Sequence, residues 1–154
     1  MLIKENTDIF VIRFSDKHEY KTIQEHLNIL DDIGYVWYGK IGRTPSKEYF
    51  DTRLSQGTVI VLLVQPGRYF ISKCVDYSTS TPDDNTYPKY YKSTEFSSYS
   101  FNSWYKLTEI IEVKNSDVLE NVIIISSGNY LRSSLQGSIS PMFKAKAKCD
   151  ITLW

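Results

Sequence analysis

The chain has 154 residues, 42% hydrophobic and 23% charged, which supplies enough apolar material for one folded domain and excludes general disorder. Its 18 Lys and Arg balance its 18 Asp and Glu, so a polycation that coats nucleic acid over its whole surface is excluded while a local basic patch is not. Two cysteines, Cys74 and Cys149, are too few for a disulfide scaffold and read as free thiols of a reducing, cytoplasmic compartment.

Asp8 to Phe14 is β-branched and aromatic and predicts a first strand. Ser15 or Asp16 then caps a helix whose Tyr20, Ile23, Leu27 and Leu30 form one stripe, and Gly34 stops it. Tyr35 to Gly42 is a second strand, broken by glycines at its end. Ser46 caps a short helix from Lys47 to Ser55, and Thr58 to Val64, apolar on both faces, predicts a central strand. That run is too short to span a bilayer, and the first six residues lack the apolar core of a signal peptide, so no membrane partner is expected. Gln65 to Arg68 turns the chain, and Tyr69 to Asp76 returns as a partner strand.

Residues 77–102 are rich in Ser, Thr, Asp, Asn, Pro and Tyr and read as a long loop of the functional or mobile kind. Strands resume at Trp104 to Val113. One helical turn is expected over Asp117 to Glu120, a buried strand over Val122 to Ile125, and a last strand within Met142 to Leu153. The order is strand, helix, strand, helix, then mostly antiparallel strands. That is α+β, with a curled sheet of roughly five to six strands and two flanking helices.

Catalytic signals are sparse. His18 and His26 lie two turns apart on the first helix and read as solvated histidines, and no metal-binding motif or phosphate-cradling glycine loop is present. No cofactor, metal or catalytic residue is expected on this reading. Cys74 lies mid-strand and reads as an inert core thiol. One pattern points elsewhere: Pro82-Asp83 followed by Glu112-Val113-Lys114 resembles the PD-(D/E)xK signature of metal-dependent nucleases. There, two carboxylates hold a divalent cation and the lysine supports the attacking water. The same spacing also fits an ordinary solvent-face ion pair.

Aromatic and basic residues cluster more densely. Trp37-Tyr38-Gly39-Lys40-Ile41-Gly42-Arg43 holds two rings, two cations and two glycines that let a ligand approach the backbone. Trp37 shares its strand face with Gly39, which leaves space beside its ring, while Val36 and Tyr38 take the other face. A core tryptophan flanked by surface cations is the competing reading. Tyr87-Pro88-Lys89-Tyr90-Tyr91-Lys92, then Phe101 and Trp104, add rings near the long loop, which either captures a base or packs down on its own tyrosines. Lys144, Lys146 and Lys148 line one strand face.

This order resembles the PUA-like superfamily, in particular EVE domains, with YTH and ASCH domains as relatives. The resemblance rests on Trp37-Tyr38-Gly39-Lys40-Ile41-Gly42-Arg43 where the family has a tryptophan and a Gly-Val-Arg-Asn-like turn. The short helix from Lys47 to Ser55 and the apolar strand from Gly57 to Val64 follow in the family's order. The returning strand, long loop, Trp104-Tyr105-Lys106-Leu107 and a Ser-rich segment from Ser126 to Leu135 complete it. Lys40-Ile41-Gly42-Arg43 departs from the family turn, and the first strand lacks the family's early tryptophan.

The resemblance implies a single PUA-like, EVE-type domain over residues 1–154, built as a small, strongly bent mixed β-barrel. It implies a non-catalytic module that binds DNA or RNA and reads a modified or flipped base in an aromatic pocket. On that basis Trp37 is a cage wall, Tyr38 its neighbour, and Gly39, Lys40 and Arg43 the rim. Trp104, Tyr90 and Tyr91 would be second walls, and Ser126 and Ser127 polar groups of the floor. The alternatives are a nuclease using Asp83, Glu112 and Lys114, or a module for a small molecule or protein partner on the same fold.

Overall fold

The computed structural model describes residues 1–16, 20–136 and 141–153. The strands are β1 (Leu2–Ile3), β2 (Asp8–Arg13), β3 (Val36–Ile41), β4 (Val59–Gln65), β5 (Arg68–Ser78), β6 (Phe101–Val113), β7 (Val122–Ile124), β8 (Met142–Ala147) and β9 (Ile151–Thr152). Four helices accompany them among the described residues: α1 (Thr22–Ile33), α2 (Lys47–Ser55), α3 (Asn115–Leu119) and α4 (Leu131–Ser134). The fold is α+β, as the sequence predicts.

The sheet differs from expectation in size and closure. It has seven strands in the order β3-β6-β5-β4-β2-β8-β7, and β1 and β9 form a separate pair. The order has two ends and does not return on itself, so it is not a closed barrel. The extra strands are short pieces whose pairing depends on partners far away in the chain: β1 meets β9 through Leu2–Thr152 and Ile3–Ile151.

The contacts divide the chain into two compact units. The first comprises Met1–Phe14, Ile60–Ser72 and Ile111–Trp154. In it β2 runs parallel to β4, with Ile9 opposite Ile60, and antiparallel to β8, with Ile9 opposite Ala145. With both edges paired, β2 is also covered on both faces, and Ile9, Phe10, Val11 and Ile12 are all sealed from solvent. One face carries the unit's core: Ile9, Val11, Leu62, Ile71 and Ala145, with Val118 of α3 and Leu131 of α4 packed against them. Each of the Val, Leu and Ile side chains among them contributes about 1.5–3 kcal/mol by burial.

The second unit comprises Ser15–Val59 and Lys73–Ile110. Helix α1 begins at Thr22 with Lys21 at its N-cap and no side-chain cap there, later than the Ser15–Asp16 signal suggests; the Asp16 carboxylate accepts the Thr22 N–H at 3.0 Å from outside the cap position. Gly34 ends the helix in the left-handed region, φ 85°, and its N–H returns to the Leu30 carbonyl. Helix α2 matches its predicted span, and the Ser46 hydroxyl accepts the Tyr49 N–H at 3.1 Å. Ser46→Ala should lower the unfolding free energy by about 1 kcal/mol in a urea titration; no change would mean that packing of Tyr49 and Phe50 alone fixes the helix start.

Strand β3 pairs antiparallel with β6, Val36 opposite Leu107 and Gly39 opposite Trp104. Its outer edge is not bare. The Trp37 N–H donates to the Thr86 carbonyl at 2.9 Å, and the Gly39 N–H donates to the Tyr91 hydroxyl at 3.1 Å. Residues 86–101 thus form a strap that satisfies an edge strand's outward amides. Two short 3-10 turns, Lys89–Lys92 and Thr94–Phe96, shape it. Asp84 fastens its beginning by accepting from Lys92 and from the Tyr87 hydroxyl.

Candidate functional site

The strap gathers rings. Tyr87, Tyr90, Tyr91, Phe96 and Trp104 are buried together, with Tyr20, Trp37, Tyr99 and Phe101 packed around them. Trp104 lies 5.0 Å from Tyr87 and 5.2 Å from Tyr91, centroid to centroid, in tilted and edge-on geometries that aromatic quadrupoles favour. These rings contact one another, so Tyr90, Tyr91 and Trp104 serve as core of this unit. The segment packs down on its own tyrosines, the second of the two loop readings.

The space expected beside Trp37 is filled. A β-carbon built on Gly39 would lie 2.7 and 2.9 Å from the Trp104 ring, so the glycine is there to admit the indole of the facing strand. The sequence places glycine and tryptophan 65 positions apart, and only the register β3–β6 brings them together. The Trp104 indole N–H is buried without a hydrogen-bond partner among the described residues.

Beneath the strap lies a polar relay that the sequence reading missed. His26, expected on a solvated face, is fully buried on α1. It stacks on Tyr38, ring centroids 4.8 Å apart. Its Nδ1 lies 2.7 Å from the Thr22 carbonyl and its Nε2 2.8 Å from the Tyr91 hydroxyl. A carbonyl only accepts, so Nδ1 carries the proton, Nε2 accepts from Tyr91, and the Tyr91 oxygen is left to accept the Gly39 N–H. Burial lowers the His26 pKa to about 4 and raises those of Tyr38 and Tyr91 well above the usual phenol value. His26 stands three residues after Ile23 and four before Leu30, on the stripe that predicted the helix's inner face, which was the available signal. His18 lies outside the described residues.

The remaining expected residues differ in exposure and in the unit to which they belong. Tyr38 is buried, Trp37 and Lys40 are half-buried, and Arg43 is exposed. The Lys40 ammonium donates to the Ile41 carbonyl at 3.2 Å. Ser126 and Ser127 are exposed after β7, in the first unit.

The nuclease trio also divides: Asp83 belongs to the second unit, Glu112 and Lys114 to the first. Glu112 forms a two-pronged pair with Arg68, at 2.8 and 3.0 Å, and the guanidinium holds its carboxyl below the ordinary value. Among the described residues, no three His, Cys, Asp or Glu side chains are grouped to hold a metal ion. Cys74 and Cys149 are both free; burial pushes the Cys74 thiol up to about 12, the inert state expected of it.

One half-open surface in this unit combines a cation with rings. On the sheet face opposite Tyr38, Trp37 stands across from Lys106, whose ammonium lies 4.3 Å from the Tyr35 ring centroid. Tyr35, Trp37 and Lys106 are all half-buried, so each keeps part of its surface in solvent. No helix among the described residues is long and apolar enough to cross a membrane. Compared with known proteins, the chain matches no family model and no curated protein.

Proposed function

We propose that this chain is a non-catalytic nucleic-acid-binding module of the PUA-like, EVE-type kind, acting in the cytoplasm, where both thiols stay reduced. The observation that carries the reading is the Tyr35–Trp37–Lys106 face. Two part-exposed rings beside one ammonium form a platform on which bases stack while the cation offsets phosphate charge. A modified or flipped base would lie against Trp37, with Lys40 and Arg43 toward the rim and the buried rings of Tyr91 and Trp104 as a rigid backing.

Trp37→Ala tests the reading. Binding of labelled single- and double-stranded oligonucleotides, with and without modified bases, should weaken by about tenfold or more, because one stacked base is worth ~1–3 kcal/mol. Wild-type affinity should also fall steeply with salt. A destabilised variant whose folded fraction binds as before would return Trp37 to the core and remove the proposal's main support. Flat salt dependence would favour a small-molecule or protein partner.

A further inference from the structure

We propose that the first unit carries a second contact surface, a strand-borne strip for single-stranded nucleic acid, formed by Lys144, Lys146, Lys148 and Tyr130. The class of ligand rests on the reading above; the surface is separate from it. Ala145 and Ala147 of β8 are sealed in the core, so the alternate residues Lys144 and Lys146 project on the opposite face. Lys148 follows one residue past the strand's end, and its contact with Tyr130 brings it to the same surface. At ~3.3 Å rise per residue, the Lys144 and Lys146 side chains are anchored ~6–7 Å apart along the strand.

The same face has an apolar flank. Lys146 stands directly opposite Ile123 on β7, and Ile123 is bridged in turn to Tyr130. Directly opposed residues share a face, so Tyr130, Ile123 and Lys146 form a transverse row that crosses the lysine row. Ile125, whose N–H donates to the Lys144 carbonyl, is 47% exposed beside it, and Tyr130 is 37% exposed. The Lys148 ammonium donates to the Tyr130 hydroxyl and sits 4.6 Å from its ring centroid. Asp8 stands opposite Lys146 on β2.

This combination selects among polyanions. A line of cations spaced along one strand tracks a single extended phosphate chain, and an exposed tyrosine beside it gives a base a ring to stack on. A duplex would present paired bases with no face for Tyr130. A lipid surface or an acidic peptide would use the charges and leave the ring idle.

The test uses the full chain and fluorescein-labelled oligo-dT and oligo-U of about 12 nucleotides. A matching duplex, heparin, an acidic peptide and phosphatidylserine vesicles serve as competitors. The variant Lys144→Gln/Lys146→Gln/Lys148→Gln should bind at least tenfold more weakly. Its plot of log affinity against log salt should be shallower by about 2, from about 0.7 per neutralised phosphate on a single strand. Tyr130→Ala should bind about fivefold or more weakly with the salt slope unchanged. Should the triple variant fail to fold, Lys144→Gln/Lys148→Gln keeps the test, with a slope change of about 1.4.

Unchanged affinity and slope in a folded lysine variant overturn the strip. So does preferential binding of vesicles, heparin or peptide with Tyr130→Ala silent. Loss in Trp37→Ala with no loss in the lysine variant sinks this inference and keeps the sheet-face reading; the reverse result does the opposite. No binding of the wild-type chain to any oligonucleotide sinks both.

Discussion

Acidifying from about pH 7.5 to about pH 5 should lower the unfolding free energy by about 2 kcal/mol through His26 alone, and His26→Gln should abolish that part of the pH dependence. The ring is buried between Tyr38, Tyr90 and Tyr91, all neutral phenols. Burial holds its folded pKa at about 4 against an ordinary 6.5. As pH falls below 6.5, the unfolded chain takes up a proton that the native ring still refuses. The unfolded state then binds more protons, so stability falls with pH through this window and levels off once both states are protonated, below about 4. The full difference is about 3 kcal/mol at about 1.4 kcal/mol per pH unit. Urea titrations at the two pH values, on wild type and on His26→Gln, read it directly. Equal pH dependence in the two would show that the relay titrates as a solvated histidine does and would remove it as the strap's anchor.

That relay also explains why a segment of loop-like composition is ordered. Residues 77–102 contain no aliphatic residue, and aliphatic periodicity is what announces a core. Tyrosine supplied the burial instead: Tyr87, Tyr90 and Tyr91 pack as large apolar bodies. The Tyr91 hydroxyl is spent on His26 and Gly39.

Local signals carried well elsewhere. Ser46, Gly34 and the apolar run ending in Gln65-Pro66-Gly67 set a cap, a stop and a hairpin within a few residues of their cause. Signals that depend on register did not carry. Nothing near Leu2 shows that it pairs with Thr152. Nothing near Trp37 shows that Trp104 occupies the ground over Gly39. The candidate site was legible as residue types, since Trp37, Lys40 and the loop tyrosines all fall in one unit with Trp104. It was not legible as geometry: the same rings that suggest an open cage from the sequence are packed against each other by strand pairing. Tyr35 and Lys106, which complete the open face, are unremarkable one at a time and meet only across β3 and β6.

Substitutions at the Gly39–Trp104 contact have large expected effects, and their signature is non-additivity. Trp104→Ala removes an indole that is 2% exposed and should cost about 3–5 kcal/mol, the range for a buried aromatic truncated to a methyl. Gly39→Ala should cost about 1–3 kcal/mol for the opposite reason: its new methyl meets a ring held on its other sides by Tyr87, Tyr91 and Phe101. In a Trp104→Leu background the smaller side chain vacates that ground, and Gly39→Ala should then cost under about 1 kcal/mol, a coupling of up to about 3 kcal/mol. Among the described residues the indole N–H has no acceptor to lose, so the Leu substitution reports packing. Four urea titrations complete the cycle. Costs that simply add would mean that the indole moves aside freely, and Gly39 would then be open to a ligand after all.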